Sequence, residues 1–598
     1  MLRALFLLIA IGCGPKADDG DKRQWPATDT ASGPGTSDLG RTPPVLDLAE
    51  ITTDDGLRRL HGSKSFGNYG VPVSGGYDCD GDGHLDVAMS TLRADRPGVD
   101  HAGAIYLSFG DSTISGAVDT AVASDEVLTI IGEQAHEHAG SEIWMSDVTG
   151  DGLGDLLIGR QNFSAPGRIG TGALTILVGG PELRNFAATG AELDLGNRPP
   201  ELSFVDIWGQ DAYARLGIWM RAGDVTGDDI ADIVVGADEF TNAGDAHAGS
   251  MWVIRGGAHL QTGGVADLAS FGQTFLRGHA AQVLPPPGSD EYHFGGTVQI
   301  ADLDGNGRAE VMGSAALNRM GASLVPSGLE ESSHGSGGSF RGTMYIAWDD
   351  NFPEQDWDSA YTIRLSAPPG TVTQIHGGSG NVSFGEEILG GEDYDGDGRA
   401  DLFVGDIVGD LSQRGDRYNS GSGHILYDAA LVKGLDFRID DAPDGIFTTT
   451  ILGASPGDIV SDTALHGDFD GDGISDIGIA APDAWPDGRL RKSAGILYIF
   501  FGQQGRWPAV VDLDHRFMPQ ADKVRLLEVW GAIGTSGARF TGDMLAYSAT
   551  AADIDGDGLV DPIVNEMLGD GVAPENSDVG NLIVISGSLV ADAELGLR

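Results

Sequence analysis

Cysteine and basic residues are both scarce in this 598-residue chain. The two cysteines, Cys13 and Cys79, are too few for a framework of disulfide bonds. The 36 lysines and arginines face 89 aspartates and glutamates, which gives a formal net charge of −53. A chain this negative repels the phosphates of nucleic acids and anionic lipid headgroups, so neither is an expected partner.

Long hydrophobic runs and known catalytic motifs are missing as well. Beyond the first residues, no stretch approaches the roughly 18 apolar residues of a membrane-spanning helix. The sequence has no nucleophile elbow, no phosphate-binding loop and no pair of catalytic carboxylates. Residues 136–138 read His-Glu-His, but no matching third ligand accompanies them, which favours a polar loop. A non-catalytic protein is therefore the first interpretation.

The first residues have the pattern of an export signal. Arg3 precedes an apolar run from Ala4 to Ile11 that is too short to span a bilayer. Residues 10–13 read Ala-Ile-Gly-Cys, which resembles the lipobox of bacterial lipoproteins and implies lipidation of Cys13. The alternative is an ordinary signal peptide with a chance cysteine. Residues 1–13 are thus predicted to be a lipoprotein signal peptide.

Residues 14–50 are polar and rich in Gly, Pro, Asp and Thr, which predicts a flexible tether. Together with the lipobox, this tether predicts a chain exported across the inner membrane and held at the bacterial cell envelope. The expected location is the outer membrane or the cell surface, and the lipid is the only expected membrane contact.

A repeat of about 79 residues fills the rest of the chain. Each repeat contains a nine-residue loop of the general form D-x-D-G-D-G-x-x-D. The seven loops begin at Asp78, Asp147, Asp224, Asp302, Asp393, Asp468 and Asp553. One strand-like segment precedes each loop and up to three follow it. Seven units of four short antiparallel strands predict an all-β fold, a seven-bladed β-propeller.

The strand count also predicts how the ring closes. The last repeat ends after its third strand at residues 581–586, while an unassigned strand-like segment, residues 57–62, precedes the first repeat. We expect this segment to pair with the last blade as its missing fourth strand, which leaves no open edge at the seam. Residues 51–590 are predicted to form the propeller and residues 591–598 a C-terminal tail.

The aspartate loops are predicted to bind calcium. Acidic side chains at positions 1, 3, 5 and 9 direct several oxygens at one point, and glycines at positions 4 and 6 permit the tight turn. Hard oxygen ligands in a flexible cage suit Ca²⁺ better than Mg²⁺. Position 12 never carries the glutamate of an EF-hand. The alternative is a set of ordinary Asp-Gly turns that need no metal.

Four to seven structural calcium ions are expected, bound most tightly in repeats 1, 5, 6 and 7. Repeats 2 and 3 carry threonine at position 3, and repeat 3 also has Asp229 in place of a glycine. The predicted metal ligands, four in each loop, are Asp78, Asp80, Asp82, Asp86, Asp147, Thr149, Asp151, Asp155, Asp224, Thr226, Asp228, Asp232, Asp302, Asp304, Asn306, Glu310, Asp393, Asp395, Asp397, Asp401, Asp468, Asp470, Asp472, Asp476, Asp553, Asp555, Asp557 and Asp561.

These repeats resemble the FG-GAP family. The resemblance rests on Phe-Gly pairs at residues 66–67, 294–295 and 384–385, on the aspartate loops and on the apolar runs that follow them. It covers about residues 51–590, although repeats 2, 3, 6 and 7 lack a clean Phe-Gly pair. FG-GAP repeats build the propeller heads of integrin α subunits and of many bacterial surface proteins. The resemblance implies that the carbonyl of loop position 7 also binds the metal and that partners bind the opposite face.

The sequence thus favours a calcium-stabilised adhesion or ligand-binding propeller, monomeric and non-catalytic, with an unknown protein or glycan partner. The longest loops predicted on the face opposite the aspartate loops are residues 279–293, 314–341 and 406–422. An Arg-Gly-Asp tripeptide at residues 414–416 carries little weight in a chain so rich in Gly and Asp. One alternative is an extracellular hydrolase or lyase, which would need acidic or histidine groups converging on that face. The other is a purely structural envelope protein.

Overall fold

The computed structural model describes residues 43–53, 56–62, 72–242, 244–261, 263–289, 292–316, 341–353, 357, 361–366, 371–409, 417–486, 491–514, 524–532, 542–570 and 579–596. The predicted signal peptide, the lipidation residue Cys13 and residues 14–42 of the predicted tether lie outside these ranges. The Arg-Gly-Asp tripeptide and most of the predicted loop 314–341 lie outside them too.

The described residues form 35 strands and a few short helices. The strands are β1 (Val45–Asp47), β2 (Leu57–His61), β3 (Val73–Tyr77), β4 (Asp86–Thr91), β5 (Ala104–Ser108), β6 (Gly116–Asp119), β7 (Val127–Ile131), β8 (Ala139–Ser146), β9 (Asp155–Arg160), β10 (Ala173–Leu177), β11 (Leu193–Asp194), β12 (Phe204–Trp208), β13 (Met220–Gly223), β14 (Asp232–Ala237), β15 (Ser250–Ile254), β16 (Gly264–Asp267), β17 (Ala280–Leu284), β18 (Val298–Ala301), β19 (Glu310–Ala315), β20 (Thr343–Ala347), β21 (Thr362–Arg364), β22 (Val372–His376), β23 (Ile388–Glu392), β24 (Asp401–Asp406), β25 (Ser422–Tyr427), β26 (Asp436–Arg438), β27 (Phe447–Leu452), β28 (Ala464–Gly467), β29 (Asp476–Ala481), β30 (Ile496–Phe501), β31 (Val510–Asp512), β32 (Arg525–Trp530), β33 (Leu545–Ala552), β34 (Asp561–Glu566) and β35 (Asn581–Ile585). The α-helices are α1 (Glu182–Ala187) and α2 (Gly587–Glu594), and the short 3₁₀ helices span Ala258–Leu260, Leu268–Gln273, Asp349–Asn351, Ala429–Val432 and Ile439–Asp441.

The strands assemble into seven sheets, the blades of a closed propeller. Numbered by their aspartate loops and read outward from the axis, the blades are β3-β4-β5-β7-β11, β8-β9-β10-β12-β16, β13-β14-β15-β17-β21, β18-β19-β20-β22-β26, β23-β24-β25-β27-β31, β28-β29-β30-β32-β1 and β33-β34-β35-β2-β6. Each innermost strand packs against the innermost strands of both neighbouring blades, and β33 of blade 7 packs against β3 of blade 1. The predicted seven-bladed, all-β architecture is therefore confirmed.

The predicted closure of the ring is also confirmed. Strand β2 runs antiparallel to β35, with Leu57 opposite Ile585 and Leu60 opposite Leu582. Leu57 and Leu60 are both fully buried. The fourth strand of blade 7 therefore comes from the start of the chain, and its apolar side chains fill the core at the seam.

Each blade has one strand more than the four predicted. The fifth strand runs parallel to the fourth and comes from the segment just before the fourth strand of the next blade, as β11 of repeat 2 does on β7 of blade 1. In blade 6 it is β1, which precedes β2 of blade 7. Most of these strands are two to four residues long with few buried positions, so they carry no readable periodicity. Each repeat thereby holds the outer edge of the blade before it.

Two boundaries of the predicted propeller change as a result. Strand β1 pairs in parallel with β32 of blade 6, although Val45–Asp47 falls in the range predicted as tether. Helix α2 buries Leu589, Val590 and Ala593 and extends into the range predicted as a tail. The packed structure therefore reaches further at both ends than residues 51–590.

The hydrophobic cores lie between neighbouring blades. One cluster joins Leu157 and Leu174 of blade 2 to Ile233 and Trp252 of blade 3. The strand after each aspartate loop is packed on both faces, and in β9 all six residues are buried. This two-sided burial explains why the runs after the loops are continuously apolar instead of alternating.

A glycine before the third strand lets one blade approach the next. Gly249 has a φ of +80°, and a Cβ added there would lie 2.1 Å from the carbonyl oxygen of Phe294. The Gly249 and Phe294 backbones form an isolated parallel bridge between blades 3 and 4. Only glycine fits this position, which accounts for part of the high glycine content.

One predicted strand and one predicted loop are wrong in repeat 3. The fourth strand of blade 3 is β17. The repeat pattern predicts that strand from the strand-like segment at residues 274–278, Thr-Phe-Leu-Arg-Gly, which precedes β17. The predicted loop 279–293 therefore contains a buried strand over most of its first half. The error arose because residues 274–278 end in glycine, as the fourth strands of several other repeats do.

Candidate functional site

The seven aspartate loops share one face of the propeller, because each joins the first strand of a blade to the second. Position 1 organises the loop: Asp78 accepts the N–H groups of Gly81 at 2.7 Å and Gly83 at 2.8 Å. The corresponding pair of bonds recurs in all seven loops. In repeat 3 the position-6 donor is Asp229, which adopts a φ of +63° where the other loops have glycine.

Position 9 ties the loop to the rest of its blade. Asp86 is fully buried and accepts the N–H of Cys79 at 2.8 Å and of Gly110, just after the third strand, at 2.8 Å. Burial raises the pKa of Asp86 to about 7. Burial raises the pKa values of the other position-9 residues in the same way, to about 6 for Asp155, 7 for Asp232 and Asp561, and 8 for Glu310, Asp401 and Asp476. A bound cation would instead favour the charged carboxylates.

Positions 1, 3 and 9 converge. In repeats 1, 4, 5 and 6, one carboxylate oxygen from each of these positions lies within 4.8 Å of the other two. These groups are Asp78, Asp80 and Asp86; Asp302, Asp304 and Glu310; Asp393, Asp395 and Asp401; and Asp468, Asp470 and Asp476. Position 5 is not part of these four groups, and its side chain accepts the position-7 N–H, as Asp82 does from His84 at 2.9 Å.

Buried oxygens without hydrogen-bond partners mark position 3. Among the described residues, four of them have no ion pair at that atom either: Thr149 Oγ1, Thr226 Oγ1, Asp304 Oδ1 and Asp395 Oδ1, in repeats 2 to 5. Asp80 Oδ2 of repeat 1 also lacks a hydrogen-bond partner, but it lies 3.1 Å from Arg184 Nη1. A buried polar atom with no partner is costly, so an unpaired oxygen at the same position of four loops fits a missing positive ligand. The donor set of carboxylate, hydroxyl and amide oxygens is the one that a hard cation such as Ca²⁺ prefers. The loop residues therefore fit a calcium ion.

Basic side chains lie beside several loops. Arg184 of α1 contacts Asp82 and lies 3.1 Å from Asp80 Oδ2, and Arg506 lies 3.2 Å from Asp395 Oδ2. Lys433 lies 3.6 Å from Asp304 Oδ2, and Arg525 contacts Asp470. Sequence reasoning missed these partners because each is about 50 residues or more away along the chain. They neutralise part of the charge of the loops.

A cavity of about 80 Å³ lies on the propeller axis, at the face opposite the aspartate loops. The chain enters each innermost strand at this face and leaves it at the loop, so the cavity is lined by the starts of these strands. Its aromatic and charged lining consists of Trp144, Trp219, Tyr547, Glu142, Glu386, Asp462 and Arg221. The volume is enough for several water molecules or for one small group of a ligand.

The axial cavity is acidic. Arg221 Nη1 lies 2.8 Å from Glu142 Oε1, and the guanidinium of Arg221 stacks 4.4 Å from the Trp144 ring centroid. Glu387, beside this group, is 3% exposed, and its Oε2 atom has no hydrogen-bond partner. Burial raises the pKa of Glu142 and Glu386 to about 7 and of Glu387 to about 8.

The sequence shows no acidic or histidine cluster that would lie on this face, whereas the structure brings both kinds together there. Glu142, Glu386 and Asp462 come from repeats 2, 5 and 6 and meet only because they hold similar places at the starts of innermost strands. Histidines cluster too: the third partner that His136 and His138 lack in the sequence is His101, whose Nδ1 lies 3.2 Å from His136 Nδ1. A comparison of equivalent positions between repeats could have found both clusters.

Replacing Glu387 with glutamine is expected to remove a pH-dependent loss of stability. A carboxyl with its pKa raised from 4.5 to about 8 supports the fold below pH 4.5 and loses that contribution as the pH rises through 8. Glu387→Gln should therefore unfold at a higher temperature than the wild type at pH 9 and at the same temperature at pH 5. Thermal melts at both pH values measure this, with the exposed Glu192→Gln as control. Equal shifts in both variants would contradict the prediction.

Comparisons with known proteins give short and distant matches. A segment of 183 residues, 31% of this chain, is 27% identical to human phosphatidylinositol-glycan-specific phospholipase D and covers 20% of that protein. The bovine protein of the same name matches at 27% over 160 residues, 27% of this chain and 17% of that protein. The Dictyostelium discoideum protein matches at 27% over 131 residues, 21% of this chain and 13% of that protein. The matched part thus spans a fifth or less of each relative.

No protein-family model matches the chain, so the resemblance to FG-GAP repeats stays a prediction. The structure defines a closed seven-bladed β-propeller with aspartate loops on one face and an acidic, aromatic cavity on the other. Among the described residues, no helix has the length and apolar character needed to cross a bilayer.

Proposed function

We propose that this protein is a calcium-stabilised binding propeller of the bacterial cell surface. Calcium in the aspartate loops holds the blade connections together on one face, and a ligand binds at the axial cavity on the other. A lipid on Cys13 anchors the chain to the envelope. The binding role rests on one observation: two indoles, a phenol, an arginine and three carboxylates line the same cavity.

The chemistry of this cavity favours a glycan over a protein surface. Aromatic faces pack against the C–H faces of sugar rings, while carboxylates and a guanidinium accept and donate hydrogen bonds to hydroxyl groups. The excess of carboxylates disfavours an anionic sugar and favours a neutral or amine-bearing one. The distant relatives are named for a glycan-containing substrate, which agrees with this class of ligand.

Binding by the axial cavity is tested with Trp219→Ala. Loss of one stacking partner, worth about 1.5 kcal/mol, should weaken glycan binding about tenfold. Titration calorimetry of the full chain against sugars selected on a glycan array measures the affinity. Trp485→Ala, which removes a tryptophan that is 41% exposed, is the matched control and should bind as the wild type does. Unchanged binding by Trp219→Ala, or no binding by the wild type, contradicts the proposal.

A hydrolase or lyase is the second candidate, and one observation favours it. Glu386 and Glu142 have pKa values of about 7, the range in which a carboxyl can act as an acid or a base near neutral pH. The relatives are also named as enzymes. Incubating the full chain with the bound glycan separates the two candidates, because an enzyme releases products and a binding protein returns the glycan intact. Loss of turnover in Glu386→Gln with binding retained would establish the enzyme.

A further inference from the structure

A second group of side chains that could hold a metal ion lies away from the aspartate loops, between blades 3 and 4. Asp238 and Glu239 follow directly after β14, at the start of the connection to the third strand of blade 3. His247 lies near the end of the same connection, and His293 precedes the first strand of blade 4. One ligand atom from each of Asp238, Glu239 and His293 lies within 4.8 Å of the other two.

The backbone holds the two histidines side by side. His293 N–H donates to the carbonyl oxygen of His247 at 2.9 Å, and Phe294 N–H donates to Ala248 at 3.0 Å. The imidazole rings stack with centroids 5.8 Å apart. Both residues have a positive φ, 50° for His247 and 53° for His293, which is an uncommon conformation for histidine. Residues at the same places of other repeats also have a positive φ, as Asn419 and Arg215 do, so the turn sets this conformation and the two histidines occupy it.

One oxygen of each carboxylate faces Arg215, and that oxygen of Glu239, Oε1, is also 3.9 Å from His293 Nδ1. Arg215 Nη1 lies 3.2 Å from Glu239 Oε1 and 3.5 Å from Asp238 Oδ2. The other Glu239 oxygen, Oε2, lies 2.5 Å from His247 Nδ1. The other Asp238 oxygen, Oδ1, has no hydrogen-bond partner, although the residue is only 1% exposed. A buried carboxylate oxygen without a partner is the feature that a bound cation would satisfy.

We propose that Asp238, Glu239, His247 and His293 form a binding site for a divalent transition-metal ion such as Zn²⁺. Two imidazoles and two carboxylates are a donor set of borderline softness that suits zinc, whereas the all-oxygen aspartate loops suit calcium. Arg215 would not touch the ion itself but holds both carboxylates in place through its contacts with Asp238 and Glu239. The histidine side chains are 44% and 26% exposed, so the ion can enter from solvent.

Blade 1 provides an internal comparison. His101 and His138 occupy the places of His247 and His293, two residues before the third-strand glycine and just before the next blade. The places of Asp238 and Glu239 are taken there by Leu92 and Arg93. An arginine and a leucine offer no ligand to a cation, so blade 1 lacks the two carboxylates of this donor set and the proposed site is assigned to blade 3.

The test uses the full chain with its aspartate loops saturated by excess Ca²⁺, titrated with Zn²⁺ in a calorimeter. One zinc ion per chain is expected, with at least 100-fold weaker binding for His293→Ala and for Asp238→Asn. His136→Ala, in the blade 1 cluster, should bind zinc as the wild type does. No zinc binding by the wild type, unchanged binding by His293→Ala, or loss of binding in His136→Ala would each overturn the proposal.

A spectroscopic measurement, made together with thermal melts, distinguishes loss of the metal site from unfolding of the variant. Co²⁺ in place of Zn²⁺ should give visible absorption bands from nitrogen and oxygen ligands in the wild type and in His136→Ala. Those bands should be absent from His293→Ala while its melting temperature in calcium without zinc stays within a few degrees of the wild type. Bands that persist in His293→Ala would show that the ion binds elsewhere.

Discussion

Chelation of calcium is expected to lower the unfolding temperature of this protein by up to about 17 °C, the value for seven bound ions. One ion at 100 times its dissociation constant contributes about 2.7 kcal/mol, so seven ions contribute about 19 kcal/mol. Unfolding about 540 residues carries an entropy of about 1.1 kcal/mol per kelvin, which converts that energy into about 17 °C. The measurement is metal content per chain, followed by melts in calcium and in chelator.

The physical reason lies in the loop geometry. Three acidic groups in one loop, with oxygens within 4.8 Å of one another, repel when all are charged. Two such charges at 4 Å cost about 4 kcal/mol at an effective dielectric of about 20. Nearby arginines and Lys433 relieve this only in part, since burial still raises the pKa values of Asp395 and Asp470 despite Arg506 and Arg525. A divalent ion coordinated by all three groups would remove the repulsion.

A single-site variant localises the effect. Asp395→Asn removes the charge of a position-3 residue whose Oδ1 has no hydrogen-bond partner, and it should reduce the calcium content by one ion per chain. Asp444→Asn changes an exposed aspartate outside the loops and should leave the content unchanged. If the wild type contains no calcium and its melting temperature is the same in calcium and in chelator, the loops are ordinary turns and calcium has no structural role.

Deletion of residues 43–62 is expected to abolish cooperative folding. It removes β2 from blade 7 and β1 from blade 6, and so exposes the edge of β35 together with the core around Leu582 and Ile585. An open, apolar strand edge is a template for aggregation. Soluble yield and the cooperativity of the thermal melt measure the outcome. A soluble deletion variant that melts cooperatively near the wild-type temperature would contradict this role of the seam.

A circular permutant tests whether the deletion acts by removing β1 and β2 or merely by changing where the chain begins. Repeat 2 runs from the third strand of blade 2 through a helix and the fifth strand of blade 1 to the fourth strand of blade 2, as β10, α1, β11 and β12. Joining residue 596 to residue 43 would give the same order at the seam, as β35, α2, β1 and β2, and α2 already packs against β1. This permutant should fold with a melting temperature close to that of the wild type.

A milder change at the seam should have a graded effect. Leu60→Ala removes a fully buried side chain and should cost about 2–5 kcal/mol of unfolding free energy. Leu595→Ala removes a side chain that is 68% exposed and serves as the matched control, with a change within about 0.5 kcal/mol. Denaturant titration of both variants measures the difference.

The aspartate loops show which features of the structure could be predicted from the sequence. A nine-residue pattern is local, and the bonds that shape it run between positions 1, 4 and 6, so the loop and the convergence of positions 1, 3 and 9 could be predicted. The period and the leftover strand at residues 57–62 likewise predicted the blade count and the closure. The fifth strands could not be predicted, because strands of a few residues draw their stability from the neighbouring blade and not from their own pattern.

The sequence alone determined most of what each repeat contains: an aspartate loop, a glycine before the third strand and four strands, of which the fourth of repeat 3 was misplaced. Only the tertiary structure decided what the repeats form together. The axial cavity joins Glu142, Trp219 and Asp462 from three repeats, and the proposed zinc site joins His247 to His293 across two blades. The physical reason is ring closure. It brings equivalent positions of distant repeats to one axis and packs each blade against the next, so residues that differ between repeats can form one site.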